Sequence, residues 1–384
     1  MVFERYIKNY MGQFNHLDRD VWNYEDGCVL IGAQMMYEAT GEEFYYNSIK
    51  NYVDRYVDEN GVIKGYDPEE YNIDRIPSGL VFYLLYEKSG EEKYRKAIES
   101  LMEQLRSHPR TESGNFWHKN IYPYQIWLDG LYMGMPYYLT YKKLYDNGAG
   151  YEDVMKQFNN TREVLFDEEK KLYYHAYDEK KQMFWANKET GLSENFWSRA
   201  LGWYLMAIVD CYEIFPEEQK ETRFRLAELL IEAVDGALLY QDKESGLFYQ
   251  LTALPQLEGN YLEMTASAMI AYTIIKGIRL GILKEEKYRG KGEEILIGIE
   301  TRLFSLRDGK LQLNGMCKGA GLGPDDRLNR DGSVSYYLGE EVVSDEQKGV
   351  GAAMMAYSQW ILMSKRKPAV PEDYPVVKIW NGTY

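Results

Sequence analysis

The chain has 384 residues, 45% hydrophobic and 27% charged, which is too apolar for disorder and long enough for a large core. Its net charge of −15 repels nucleic acid and anionic membranes, so neither is expected as a partner. An anionic ligand would need a local cationic pocket built from particular Arg, Lys or His residues, and no apolar run reaches the roughly 18 residues of a membrane span.

The first residues, Met1-Val2-Phe3-Glu4-Arg5, open a polar amphipathic stretch. They are not a basic start followed by an apolar run, so no signal peptide is expected. The region 2–13 reads as a surface helix and 24–40 as a buried one. A repeat follows. Thr40-Gly41-Glu42-Glu43 opens a pattern with apolar residues at Tyr45, Ile49, Tyr52, Val53 and Tyr56. Ser89-Gly90-Glu91-Glu92 opens a second at Tyr94, Ile98, Leu101, Met102 and Leu105, every position displaced by 49 residues. This spacing marks a one-faced amphipathic helix. Between the two, 73–88 is apolar on several sides (Ile76, Leu80, Val81, Phe82, Leu84, Leu85) and predicts a helix buried all round.

The alternation continues to the end of the chain. Inner helices are predicted over 24–40, 73–88, 127–145, 196–214, 261–280 and 346–364. Outer helices are predicted over 2–13, 43–57, 92–107, 151–166, 217–239 and 285–306. Six of each suit an all-α (α/α)6 barrel of six helical hairpins, with an open superhelical array as the alternative. No Pro, Gly or Ser-rich linker divides the chain, so a single barrel domain over 1–384 is expected. Three scattered cysteines, Cys28, Cys211 and Cys317, fit a reduced, cytoplasmic setting.

In such a ring every inner helix points the same way, so all six N-termini meet at one mouth. The first turns there read Trp22-Asn23-Tyr24-Glu25-Asp26-Gly27, Asn72-Ile73-Asp74-Arg75, Trp127-Leu128-Asp129-Gly130, Trp197-Ser198-Arg199-Ala200-Leu201-Gly202-Trp203, Glu263-Met264-Thr265-Ala266-Ser267 and Lys348-Gly349-Val350-Gly351. Small residues among them leave room for a ligand or for close helix packing. For Asp26 and Asp74, helix capping is as good a reading as function. Asp129 differs, because it sits inside the apolar Trp127-Leu128-Asp129-Gly130-Leu131-Tyr132-Met133-Gly134. A carboxyl there is expected to be desolvated, which favours its protonated form and suits general acid work. The competing reading is a buried capping Asp satisfied by backbone donors.

Of the four histidines, His118 and His175 lie in loops leading to the mouth, whereas His16 and His108 read as surface residues. No His-x-x-x-His or Cys-x-x-Cys spacing supports a metal site, and no cofactor is expected. Arg199, between Trp197 and Trp203, calls for an anionic partner: a structural Asp or Glu, or a substrate carboxylate. Gly319-Ala320-Gly321-Leu322-Gly323 lacks the strand and helix of a nucleotide loop and reads as a flexible loop beside the mouth. The 36 Tyr and 8 Trp are mostly packing residues, but flat rings also stack on sugars.

These segments, with Phe116-Trp117-His118-Lys119 and Asp345-Glu346-Gln347-Lys348-Gly349-Val350-Gly351-Ala352, resemble the unsaturated rhamnogalacturonyl hydrolases of glycoside hydrolase family 105. They are related more distantly to the unsaturated glucuronyl hydrolases of family 88. The resemblance implies the (α/α)6 barrel and a small oligosaccharide substrate ending in a 4,5-unsaturated uronic acid. It implies hydration of the vinyl ether, with Asp129 as proton donor and Asp74 as the second aspartate. It further implies that Tyr24, His118, Met133, His175, Trp197, Arg199, Trp203 and Lys348 bind the sugar, Arg199 facing the uronate, in a monomer or weak homo-oligomer. The loop 317–331 is expected to shape the leaving-sugar site. Another unsaturated glucuronyl specificity, an ordinary glycosidase, a sugar epimerase and a non-catalytic sugar-binding protein on the same barrel are the alternatives, since fold alone does not settle function.

Overall fold

Gly41 and Gly90 explain the 49-residue repeat. Each takes left-handed backbone (φ 76° and 68°) and donates its N–H to the carbonyl four residues back, Tyr37 at 2.7 Å and Tyr86 at 2.9 Å. Glycine adopts this conformation without a Cβ penalty, so an inner helix stops and the chain turns directly into an outer one. The computed structural model describes residues 2–14 and 21–365; His16 and the residues after 365 lie outside them.

The helices are α1 (Val2–Phe14), α2 (Tyr24–Thr40), α3 (Glu43–Val53), α4 (Leu80–Ser89), α5 (Glu92–Ser107), α6 (Leu128–Tyr145), α7 (Tyr151–Leu165), α8 (Ser198–Ile214), α9 (Lys220–Leu238), α10 (Met264–Arg279), α11 (Glu285–Arg302), α12 (Val334–Gly339) and α13 (Gln347–Lys365). Helices α2, α4, α6, α8, α10 and α13 form the inner ring, and α13 packs along α2 to close it. That contact selects the barrel over the open array. It is made by small residues: a Cβ at Gly351 would lie 2.4 Å from the Cys28 backbone, and one at Gly32 would lie 3.0 Å from the Gly351 carbonyl. Close helix packing is therefore what these glycines serve. Outer helices α3, α5, α7, α9 and α11 each back onto an inner partner, and α1 onto α13. Burial follows the pattern: on α10 only Arg279 escapes it, whereas α5 buries one face, including Ile98, Leu101 and Leu105. No helix of the described residues is long and apolar enough to cross a membrane.

Three departures from expectation concern the mouth. The predicted 73–88 helix is two 3₁₀ turns, Ile73–Arg75 and Pro77–Gly79, followed by α4. Pro77 stands at the break, where its missing N–H and its ring disfavour a continuous α-helix. Among the described residues, the loops also carry eight short strands in four antiparallel pairs. β1 (Gln125–Trp127) pairs with β4 (Ala176–Asp178), β2 (Phe166–Asp167) with β3 (Leu172–Tyr173), β5 (Phe304–Arg307) with β6 (Lys310–Leu313), and β7 (Met316–Cys317) with β8 (Val342–Val343). Finally, α12 is a short helix with no counterpart among the twelve expected.

Candidate active site

Asp129 is the second residue of α6 and only 8% exposed. Its place is set by the β1–β4 ladder, in which Trp127 lies opposite Ala176. The Leu128 N–H then donates to the His175 carbonyl at 3.1 Å, so His175 is brought to the first turn of α6. His175 Nε2 ends 3.3 Å from Asp129 Oδ2, out of line for a hydrogen bond. On its other side His175 Nδ1 lies 2.6 Å from the Tyr337 hydroxyl.

Asp74 sits on the 3₁₀ turn, and Asn72, not Asp74, provides the cap: its side chain accepts from Asp74 N–H at 3.1 Å. Asn23 likewise caps α2, accepting from Asp26 N–H at 3.0 Å, so the capping reading fails for both aspartates. The Ile73 N–H donates to the His118 carbonyl at 3.2 Å, binding the Asp74 turn to the His118 loop. Lys119 Nζ lies 2.7 Å from Asp74 Oδ2, and His118 Nε2 lies 3.1 Å from Oδ1. Burial alone would raise the Asp74 carboxyl, but Lys119 and then His118 outweigh it and hold it well below the usual carboxylate range. Asp74 is therefore a fixed anion.

His118 joins the two aspartates. It stacks on Trp127 at 4.7 Å with planes 5° apart, and its Nδ1 would lie 3.4 Å from a Cβ at Gly130. Tyr122 stacks on Trp127 at 4.7 Å, and the His175 ring meets it edge-on at 5.1 Å. Trp197 lies 4.9 Å from His175, its Nε1 donating to Gln250 at 3.1 Å. Trp203 stacks on Tyr132 at 4.8 Å and meets Tyr24 edge-on at 6.3 Å. Burial raises the Tyr24 phenol far above its ordinary value, and Asp74 and Glu25 add to that while Arg199 opposes it. Met133, one turn below Asp129, packs into the main core.

Arg199 has the charges of Glu263 and Glu346 near it, but its direct hydrogen bonds go elsewhere. Its guanidinium donates to two backbone carbonyls, those of Cys317 and, at 2.7 Å, Gly319, while lying 4.6 Å from the Trp197 ring centre. Arg199 thus pins the 317–323 loop over the mouth, where Leu322 packs with Trp127, Tyr122, Met183 and Trp185. Lys348 is buried and matched by Glu346 and, at 3.4 Å, Glu25. Arg330, on the same loop, donates its Nε–H to the Tyr336 hydroxyl at 3.0 Å and has no carboxylate within salt-bridge distance among the described residues. His108 is not a surface residue: it is 4% exposed, hydrogen-bonded to the Trp117 carbonyl at 2.9 Å, and burial lowers its imidazole to about 4.

Lys119, Trp127, Arg330 and Tyr337 carry much of this geometry and were not singled out from sequence. Lys119 and Trp127 stand inside quoted motifs, whereas Tyr337 reaches His175 from a helix that no periodicity announced. Asp74 Oδ1, His118 Nδ1, Asp129 Oδ2, His175 Nε2 and the indole nitrogens of Trp117 and Trp185 are buried with no hydrogen-bond partner among the described residues. Buried polar atoms are normally paired, so such a concentration at one mouth fits a polar ligand. A hollow of about 560 Å³ lined by Tyr151, Met155 and Gln219 lies between α7 and the start of α9, away from these groups.

Comparison with known proteins agrees with this geometry. The sequence profile of Glycosyl Hydrolase Family 88 matches residues 2–364. A solved glycoside hydrolase of family 105 from C. acetobutylicum is 41% identical, superposes with a TM-score of 0.88, and covers 93% of this chain and 98% of its own. The chain belongs to the family 88/105 glycoside hydrolases. Unsaturated rhamnogalacturonyl hydrolase YesR of Bacillus subtilis is 28% identical to this glycoside hydrolase over 265 residues, 67% of this chain and 72% of its own. A protein of Agrobacterium fabrum is 37% identical over 239 residues, 61% of this chain and all of its own length. An unsaturated glucuronyl hydrolase specific for heparin, 12% identical, shares the fold with a TM-score of 0.69, covering 94% of this chain and 97% of its own. Membership selects a glycoside hydrolase over the epimerase and the binding protein.

Proposed function

We propose that this glycoside hydrolase releases a 4,5-unsaturated uronic acid from the non-reducing end of lyase-generated oligosaccharides, with unsaturated galacturonyl-rhamnose as the leading substrate. One observation carries the reading: two buried carboxyls share a mouth in unlike surroundings. Asp74 is held as an anion by Lys119, while Asp129 has no Lys or Arg within salt-bridge distance among the described residues and lies 3.3 Å from the His175 ring nitrogen. Environments that separate two carboxyls assign them different tasks.

In this reading Asp129 gives its proton to C4, and the C4–C5 π pair forms the new C–H bond. Positive charge develops at C5 and is shared by the ring oxygen. Water adds at C5 and returns a proton to the Asp129 carboxylate. The resulting hemiketal opens, and the neighbouring sugar leaves. The chemistry is at C5 and not at the anomeric carbon, so the usual spacing rule for paired glycosidase carboxylates does not apply. Asp74 orients the sugar and fixes the field around Asp129. Trp127, Trp197 and Trp203 supply flat apolar faces. Arg330 meets the uronate carboxylate, since Arg199, Lys119 and Lys348 are already engaged by carbonyls or carboxylates.

The test follows the enol-ether absorbance of an unsaturated disaccharide. Loss of absorbance with release of the neutral sugar supports the reading, and an Asp129→Asn enzyme of full activity would overturn the mechanism.

A further inference from the structure

His175 is fully buried and touched on both ring nitrogens, by the Tyr337 hydroxyl at 2.6 Å on Nδ1 and by Asp129 Oδ2 at 3.3 Å on Nε2. A neutral imidazole has one N–H, and the hydrogen bond at one nitrogen decides what the other presents. Tyr337 is itself fully buried in α12. Burial, then the charges of Tyr336 and Asp129, push its phenol far above the ordinary value, so the hydroxyl has a proton to give. The groups bearing on this pair are Asp129 from α6, Tyr336 from α12, Arg330 from the loop before α12, and Cys317 from β7. The rings of Trp127 and Trp197 enclose His175 at 5.1 and 4.9 Å. None of these offers Nδ1 a competing donor at hydrogen-bond distance among the described residues.

The two tautomers have opposite consequences. With the proton on Nδ1, the Nε2 lone pair faces Asp129 and accepts the proton that the carboxyl needs for the substrate. With the proton on Nε2, the N–H faces Oδ2 and donates to it once the pair comes into line, which holds the carboxyl plane and leaves Oδ1 to carry the transferred proton. The 3.3 Å contact is long, as such contacts often are before substrate binds.

We propose that Tyr337 is a positioning residue that donates to His175 Nδ1 and thereby fixes the Nε2–H tautomer facing Asp129. This rests on the reading of Asp129 as proton donor. A wrong histidine tautomer is damaging in enzymes where geometry is otherwise intact.

The direct test is nitrogen NMR of ¹⁵N-histidine-labelled full-length enzyme, with the His175 signals identified by their loss in His175→Gln. The expected result is a pyridine-type Nδ1 and a pyrrole-type Nε2, with the two types averaged or exchanged in Tyr337→Phe. Tyr337→Phe keeps the ring and removes only the donor; its folding is checked by circular dichroism. Its kcat is expected to fall by about tenfold to a hundredfold, by analogy with losing the partner that orients a metal-bound histidine, with KM little changed. A wild-type His175 protonated on Nδ1 overturns the proposal, as does a Tyr337→Phe enzyme with wild-type kcat. The labelling needs no substrate, so the tautomer is decided even if the unsaturated sugar is not turned over, an outcome that would count against the proposed function alone.

Discussion

Lys119→Met removes the cation that keeps Asp74 ionised. The contact is 2.7 Å, and the side chains are 23% and 11% exposed, so solvent screening is modest. An opposite charge at this range lowers a carboxyl by about one to three pH units, or roughly 1.4 to 4 kcal/mol. The Asp74 carboxyl lies below its unfolded value, so its contribution to stability is present above the ordinary carboxylate range and is lost as pH falls through the folded value. At pH 7 the variant should therefore be less stable than wild type by roughly 1.4 to 4 kcal/mol, measured by urea unfolding. The gap should narrow as pH falls below about 4. The acid limb of kcat/KM should move to higher pH, because Asp74 now protonates sooner, and Lys119→Arg should restore much of it. Unchanged stability at pH 7 together with an unmoved acid limb would refute the assignment of Asp74 as a fixed anion.

Arg330→Gln should raise KM for the unsaturated disaccharide by about tenfold or more, the worth of a charged hydrogen bond, and should narrow the preference over its uronate methyl ester. An equal effect on both sugars would remove Arg330 from the carboxylate. At the far end of the barrel, Lys276 Nζ contacts Asp210 at 2.7 Å and the Tyr272 hydroxyl contacts the same carboxylate at 2.5 Å. Lys276→Met should cost about 3 to 5 kcal/mol in unfolding experiments while kcat/KM of the folded enzyme stays unchanged, because it strands a buried carboxylate away from the site. Gly351→Ala should destabilise by about 1 to 3 kcal/mol, read as a lower urea midpoint, because its Cβ would strike the Cys28 backbone and wedge α13 from α2.

The helical ring was readable because burial imposes period on a helix: α5 shows one apolar face and α10 shows apolar residues all round. The stops were readable in Gly41 and Gly90. What escaped was non-local or irregular. The start of the second inner helix became 3₁₀ turns at Pro77, although the apolar periodicity continues across it and hides the break. The β1–β4 pairing joins residues about 50 apart through backbone atoms, which leave no side-chain signature. Asp129 stood out because a carboxyl in an apolar segment is costly unless it has work or a partner. Arg199 stood out between two tryptophans, but its carbonyl partners on the 317–319 backbone have no side chain to betray them. His108 looked isolated because its partner is the backbone carbonyl of Trp117, and a backbone atom leaves no side-chain signal in the sequence.

The central claim is chemical selectivity for the enol ether. It is tested most directly by giving the enzyme unsaturated galacturonyl-rhamnose and its saturated counterpart side by side and measuring released rhamnose. The account predicts release from the unsaturated disaccharide alone, in step with the loss of ultraviolet absorbance, and none from either with Asp129→Asn. Comparable release from the saturated disaccharide would contradict it, because hydration at C5 requires the double bond.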